Sequence, residues 1–192
     1  STDKPGSIYN GFWHRMYSDL RNQLIIDGEH VVEYDLQSCQ LHLAYHLSGI
    51  DLWKSFEGDD PYRLPTSNAD RQLVKDAFVR VLNNDNDADT LVSLRCEYPD
   101  SEHNLQGVID ALRTYHPPIF QQRSKTAWIQ LDAVESEFTL EVIRRALDAG
   151  IVVLPIHDSL IAPSKHGEWL KRTMEEALVS VGIISRPTVR LK

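Results

Sequence analysis

Apolar positions along the 192-residue chain switch between strand-like runs and helical stripes, and together they outline one mixed α/β unit without internal repeats. An aromatic-rich stretch at 8–24 reads as part helix, with Asp27-Gly28 as a turn. HVVEYD follows as a short β run ending at Asp35. Residues 38–48 place Leu41, Ala44, Tyr45 and Leu47 near helical spacing, with Ser38 as a cap and Gly49 as the stop. Residues 51–65 read as an irregular connection. A strong helix is predicted over about 67–83, with Leu73, Val74, Ala77, Phe78, Val81 and Leu82 as its apolar stripe. The polar stretch 84–104 reads as a loop or insertion. Further helices are expected at 105–115, stopped before His116-Pro117-Pro118, and near 131–149, ended by Gly150. IVVLPI then reads as a buried strand, HDS as a tight turn and LIAP as a second strand. An amphipathic helix at 165–181 and an edge strand, PTVRL, complete the pattern.

Without the helices between Gly49 and Gly150, the order is strand, helix, strand, strand, helix, strand. This is the split βαβ, ferredoxin-like arrangement: an antiparallel sheet with helices on one face. The expectation is a single domain over residues 1–192, with 50–130 inserted as a helical segment. In this topology the first and third strands are antiparallel neighbours. The end of the first holds Asp35 and the start of the third holds Asp158, so residues far apart in sequence meet.

Two adjacent carboxylates repel unless a cation or a proton lies between them. Mg²⁺ prefers oxygen ligands and keeps waters or substrate phosphates in its remaining positions. Two such ions about 3.5–4 Å apart can activate an attacking oxygen and stabilise a leaving one. Arg71 and Lys75, four apart on the predicted helix, share a face and suit a triphosphate, one as a fork and one as a point charge. On its own that pair reads more readily as a solvated helix face; the order Asp35, then Arg71 and Lys75, then Asp158 favours the phosphate reading. Glu33 shares a strand face with Asp35 and is a candidate metal helper.

Whole-chain properties narrow the picture. Hydrophobic residues make up 42% and charged residues 25%, an ordinary globular composition. No apolar stretch is long enough to span a membrane, and the first residues lack a signal-peptide core. Cys39 and Cys96 are too few for a disulfide framework and read as buried thiols of a cytoplasmic protein. The net charge of −8 argues against tight autonomous binding to nucleic acid, although a site built from carboxylates accounts for part of it.

Three ordered motifs carry a family resemblance. VVEYDLQSCQLHLAYHLSG resembles motif A of family A DNA polymerases, with Asp35 at the catalytic position and His46-Leu47-Ser48-Gly49 in register. ADRQLVKDAF resembles motif B, whose Arg-x-x-x-Lys falls on Arg71 and Lys75. LPIHDSLIAP resembles motif C, and its His-Asp-Ser form is also that of phage-type single-subunit RNA polymerases. GSIYNGFW and DPYRLP are similar to stretches of polymerase-like proteins of phages and mobile elements. The resemblance runs from about Gly6 to Ala177. It implies a polymerase palm with 50–130 as reduced fingers, using Mg²⁺, or Mn²⁺ in its place, with a primer–template and a dNTP or NTP as partners. It implies Asp35 and Asp158 as catalytic metal ligands, and Arg71 and Lys75 as triphosphate ligands. It also implies Gln40 as the sugar gate, His157 near the primer end and Gln130 towards the template–primer minor groove.

The departures are specific. Gln40 stands where the family carries a Glu, Ser7 where related sequences tend to carry Arg, and motif B runs into VLNNDN where the family has base-stacking aromatics. Phe78 is a partial substitute. There is no room for a thumb, so the chain is either a minimal palm or a piece of something longer, and a protein partner would supply the thumb or template surface. Three functions follow: template-directed nucleotide addition, a catalytically reduced palm serving a replication or defence complex, and a metal-dependent phosphodiesterase.

Overall fold

The computed structural model describes residues 11–192, so the stretch Gly6–Asn10, including Ser7, lies outside the described residues. The chain forms two compact units, Ser1–Cys39 with Asp132–Lys192, and Gln40–Leu131.

The first unit holds a five-stranded sheet of β1 (Ile25–Ile26), β2 (Glu29–Leu36), β3 (Leu154–Ile156), β4 (Ser159–Pro163) and β5 (Val189–Leu191). The order is β1-β2-β4-β3, with β5 also on β2, and every pairing is antiparallel. Setting aside the two-residue β1, the order β3-β4-β2-β5 is the ferredoxin-like order expected from the pattern. The register is set by burial, since a one-residue slip of β2 would turn Tyr34 and Leu36 to the wrong side. Helix α9 (Gly167–Ser180) packs on β2, β4 and β5 and buries Leu170, Met174, Ala177 and Leu178. Its first residue has no side chain because a Cβ at Gly167 would stand 3.2 Å from the Val32 side chain. Val32, Tyr34 and Leu36 therefore belong to the helix-covered face, while Glu33 and Asp35 belong to the other.

Short helical pieces at Phe12–Arg15 and α1 (Ser18–Arg21) precede the sheet. The strand expected over 151–156 forms only at Leu154–Ile156. Gly150, at φ 67°, ends the preceding helix, and Ile151 donates its N–H back to the Ala146 carbonyl at 2.9 Å, so the first residues serve as a helix cap.

The second unit is helical, with α3 (Leu52–Ser55), α4 (Arg71–Asn83), α5 (Asp87–Glu97), α6 (Leu105–Tyr115) and α7 (Pro117–Gln121). The chain passes between the units inside α2 (Cys39–Leu47) and α8 (Ala127–Asp148). Helix α4 starts at Arg71, later than the predicted start near 67, because the Asp70 carboxylate accepts the Leu73 N–H at 2.8 Å and caps it there. Helix α5 corrects the reading of 84–104 as a loop. The Asn86 side chain accepts the Asp89 N–H at 2.9 Å, and Asp87 and Asp89 complement the helix dipole. Only Thr90 and Leu94 are buried along α5, too narrow a stripe to show as periodicity.

Candidate active site

Strand β2 carries Asp35 next to its end, and its register sets Asp35 opposite Ser159 on β4 and opposite Arg190 on β5. The next residue, Leu36, donates its N–H to the carbonyl of Asp158 at 3.1 Å. Asp35 and Asp158 are thus neighbours across two hydrogen-bonded strands. Asp158 lies in the two-residue turn joining β3 and β4, preceded by His157 at φ 50°. That is a left-handed conformation for a non-glycine residue, held by the hairpin on either side of it. His157 is exposed, and its ring lies edge-on to that of His14 with centroids 6.4 Å apart.

Two carboxylates on one sheet face need counter-charge, and β5 supplies it. Arg190 donates from Nε to Asp35 Oδ1 at 3.0 Å and from Nη2 to Oδ2 at 3.2 Å. Two residues along, Lys192 Nζ stands 2.9 Å from Glu33 Oε1 and donates to Ser159 Oγ at 3.2 Å. Glu33 is also gripped by both Nε and Nη2 of Arg21, each at 3.1 Å. Burial would raise the Glu33 pKa, but these two cations outweigh it and hold the carboxyl below its ordinary range. Glu33, read from the sequence as a metal helper, is instead a buried carboxylate neutralised by Arg21 and Lys192.

The pattern along the chain missed Glu135. It sits on α8, where burial first, and then the negative charges of Asp158 and Asp132, push its pKa up to about 7. The buried Cys39 thiol is pushed well above its ordinary pKa by burial, and then by Glu135, Asp158 and Asp35. Both groups respond to one shared concentration of negative charge. No local signal distinguishes Glu135 from the other acids of its helix; only the third strand's turn gives it a neighbour. Cys96, expected to be buried, is exposed on α5.

The donor set fits a hard divalent cation. It offers the carboxylate of Asp35 on a strand and that of Asp158 on the neighbouring hairpin turn, and a guanidinium already stands on Asp35 as a cation. Among the described residues no group of three or more His, Cys, Asp or Glu is placed to hold an ion together. Asp35 and Asp158 would therefore leave most coordination positions to water and substrate.

The other sequence-derived residues lie in the second unit. Arg71 is the first residue of α4, its Nε 2.6 Å from Asp60 Oδ2 and its guanidinium 5.1 Å from the centre of the Tyr62 ring. Lys75 is exposed one turn on, so both cations flank a helix N-terminus. Gln40 is exposed near the start of α2, and Gln130 is exposed within the first turn of α8, which begins earlier than its pattern suggests. Phe78 is fully buried with its ring 6.0 Å from that of Tyr62, which corrects its reading as a substitute base-stacking residue. Across the described residues no helix is long and apolar enough to cross a membrane.

No family model matches this chain, and no curated protein matches it. Among solved structures it is similar to the POL domain of Pol1 from M. smegmatis, solved in complex with DNA primer-template and dNTP. The TM-score is 0.53 at 14% identity, over 89% of this chain and 41% of that one. The chain therefore has a polymerase-like α/β fold and spans about two fifths of that structure's length.

Proposed function

We propose that this protein carries out template-directed nucleotidyl transfer of the DNA polymerase type, with Asp35 and Asp158 holding two divalent ions, Mg²⁺ or Mn²⁺. The observation that supports this most is that the end of β2, carrying Asp35, is hydrogen-bonded beside the turn that carries Asp158, in a fold similar to a polymerase domain. Bound ions would supply Lewis acidity, activating a primer hydroxyl and neutralising the leaving pyrophosphate. Asp35 and Asp158 fix the reacting oxygens by holding those ions from a rigid sheet. Arg71 and Lys75 grip the triphosphate, with the α4 N-terminus adding its dipole. Gln40 crowds the sugar, His157 lies at the primer end and Gln130 reads the minor groove. On this reading the first unit is the palm and the second is a reduced set of fingers. A primer–template and a dNTP or NTP are the partners, with a further protein supplying a thumb or template-binding surface.

The test is incorporation of labelled dNTPs and NTPs, with and without primer, in Mg²⁺ or Mn²⁺. Asp35→Ala and Asp158→Ala should each reduce extension by roughly a thousandfold, since several kcal/mol of charge stabilisation is lost. Extension that survives both substitutions sinks the reading. A second reading, a catalytically reduced palm that binds within a replication or defence complex, is favoured by two observations: Phe78 is packed in the core and Arg71 is engaged by Asp60. It predicts no incorporation by the intact protein together with a stable protein partner.

A further inference from the structure

We propose that Arg190 is a built-in counter-cation of the Asp35–Asp158 site, which grips Asp35 in the metal-free protein and must be displaced by the entering divalent ion. The inference rests on the two-carboxylate reading above and adds a competitor for one of its ligands.

Three observations carry it. First, the guanidinium engages both oxygens of Asp35, with Nε at 3.0 Å from Oδ1 and 3.3 Å from Oδ2, and Nη2 at 3.2 Å from Oδ2. A divalent ion on the remaining lone pairs would lie within a few ångströms of a fixed positive charge, at a site partly shielded from water. Secondly, the two partners differ in exposure. The Asp35 side chain is 12% exposed and that of Arg190 is 54% exposed. Arg190 has solvent beside it to turn into once an entering ion takes its place on Asp35, whereas Asp35 cannot move off its strand. Thirdly, Lys192, just past the end of β5, binds Glu33, but there Arg21, 9% exposed, also closes on the carboxylate. Glu33 is closed from two sides, and Asp35 is held by an arm that can open.

The device has a chemical use. Carboxylates on the end of β2 and on the adjoining hairpin turn would repel each other without metal. Arg190 relieves part of that repulsion until an ion takes over. The sheet then stays formed in both states, and the apparent metal affinity is set by an exchange of cations at Asp35.

The test is Mn²⁺ binding to the intact protein without nucleotide, followed by calorimetry and by loss of the free Mn²⁺ spin-resonance signal. Arg190→Gln should tighten binding by about fivefold, the value expected when a half-exposed ion pair no longer competes. Arg190→Lys should fall between Gln and wild type. Adding Asp35→Asn to Arg190→Gln should cancel the gain. Equal or weaker binding by Arg190→Gln, where wild-type binding still depends on Asp35, overturns the counter-cation and leaves the metal reading standing. Binding that ignores Asp35 in every variant removes the metal reading and this proposal with it. A measurement on wild type guards against a misfolded variant. The Arg190 Nε–H resonance should shift with Mg²⁺ along the binding curve, and a resonance that stays fixed at saturating Mg²⁺ overturns the proposal.

Discussion

Glu33 and Asp35 sit two residues apart on one face of one strand, yet they have different fates. Glu33 lies under Arg21 and Lys192 and is almost wholly removed from solvent. Asp35 faces one half-exposed arginine and the turn that carries Asp158. A carboxylate closed in by two cations contributes to the fold, because removing one partner strands a buried charge. A carboxylate with an exposed partner can change partners. The comparison teaches that two carboxylates on one strand face can be set in different surroundings by the exposure of their counter-charges.

The comparison can be broken in several ways. The largest effect expected is on catalysis: Asp35→Asn should cost roughly a thousandfold in primer extension, while Glu33→Gln that is still folded should retain it at permissive temperature. Stability should rank the other way. Glu33→Gln should lose about 3 kcal/mol in urea denaturation, because Arg21 and Lys192 lose their buried carboxylate. Asp35→Asn should lose less than about 1 kcal/mol, because Arg190 can turn to water. Equal losses would end the distinction between the two sites.

Acid sharpens the same contrast by locating the sensitive group elsewhere. His116 is fully buried. Its Nε2–H donates to the Pro61 carbonyl at 2.7 Å, so its Nδ1 accepts from the Tyr45 hydroxyl at 2.9 Å. Burial lowers its pKa from 6.5 to about 4, only partly offset by the Pro61 carbonyl. Between these values the unfolded chain binds more protons, so stability is intact above pH 6.5 and falls as the pH drops towards 4. The loss should approach about 3 kcal/mol. His116→Gln should flatten that slope in urea titrations at stepped pH, whereas Glu33→Gln should leave it in place. A slope unchanged in His116→Gln would refute the assignment.

Much of this was legible along the chain. The alternation at HVVEYD and LIAP, with the strand order, was enough to bring Asp35 beside the start of β4, because burial of Tyr34 and Leu36 sets the register. The α4 stripe was equally plain, since six apolar residues recur at helical spacing. Helix α5 was hidden because capping and two buried side chains hold it, rather than a broad apolar face. Arg190 and Glu135 were hidden for a different reason. Their importance comes from which strand or turn lies opposite them, and nothing local in PTVRL or in a helix rich in acids specifies that neighbour. Phe78 was misread because an apolar residue on a stripe looks the same whether it meets a core or a base.

The pairing of β5 with β2 also bears on how the protein is made. Asp35 and Arg190 are separated by 155 positions, and Asp158 reaches Asp35 only through β4. Contacts of such long sequence separation form late, after the loops between them have closed. A ribosome-bound chain therefore exposes Asp35 long before its strand neighbours have been synthesised. The acidic centre comes into being only when residue 190 has emerged and laid itself along a strand translated 155 positions earlier.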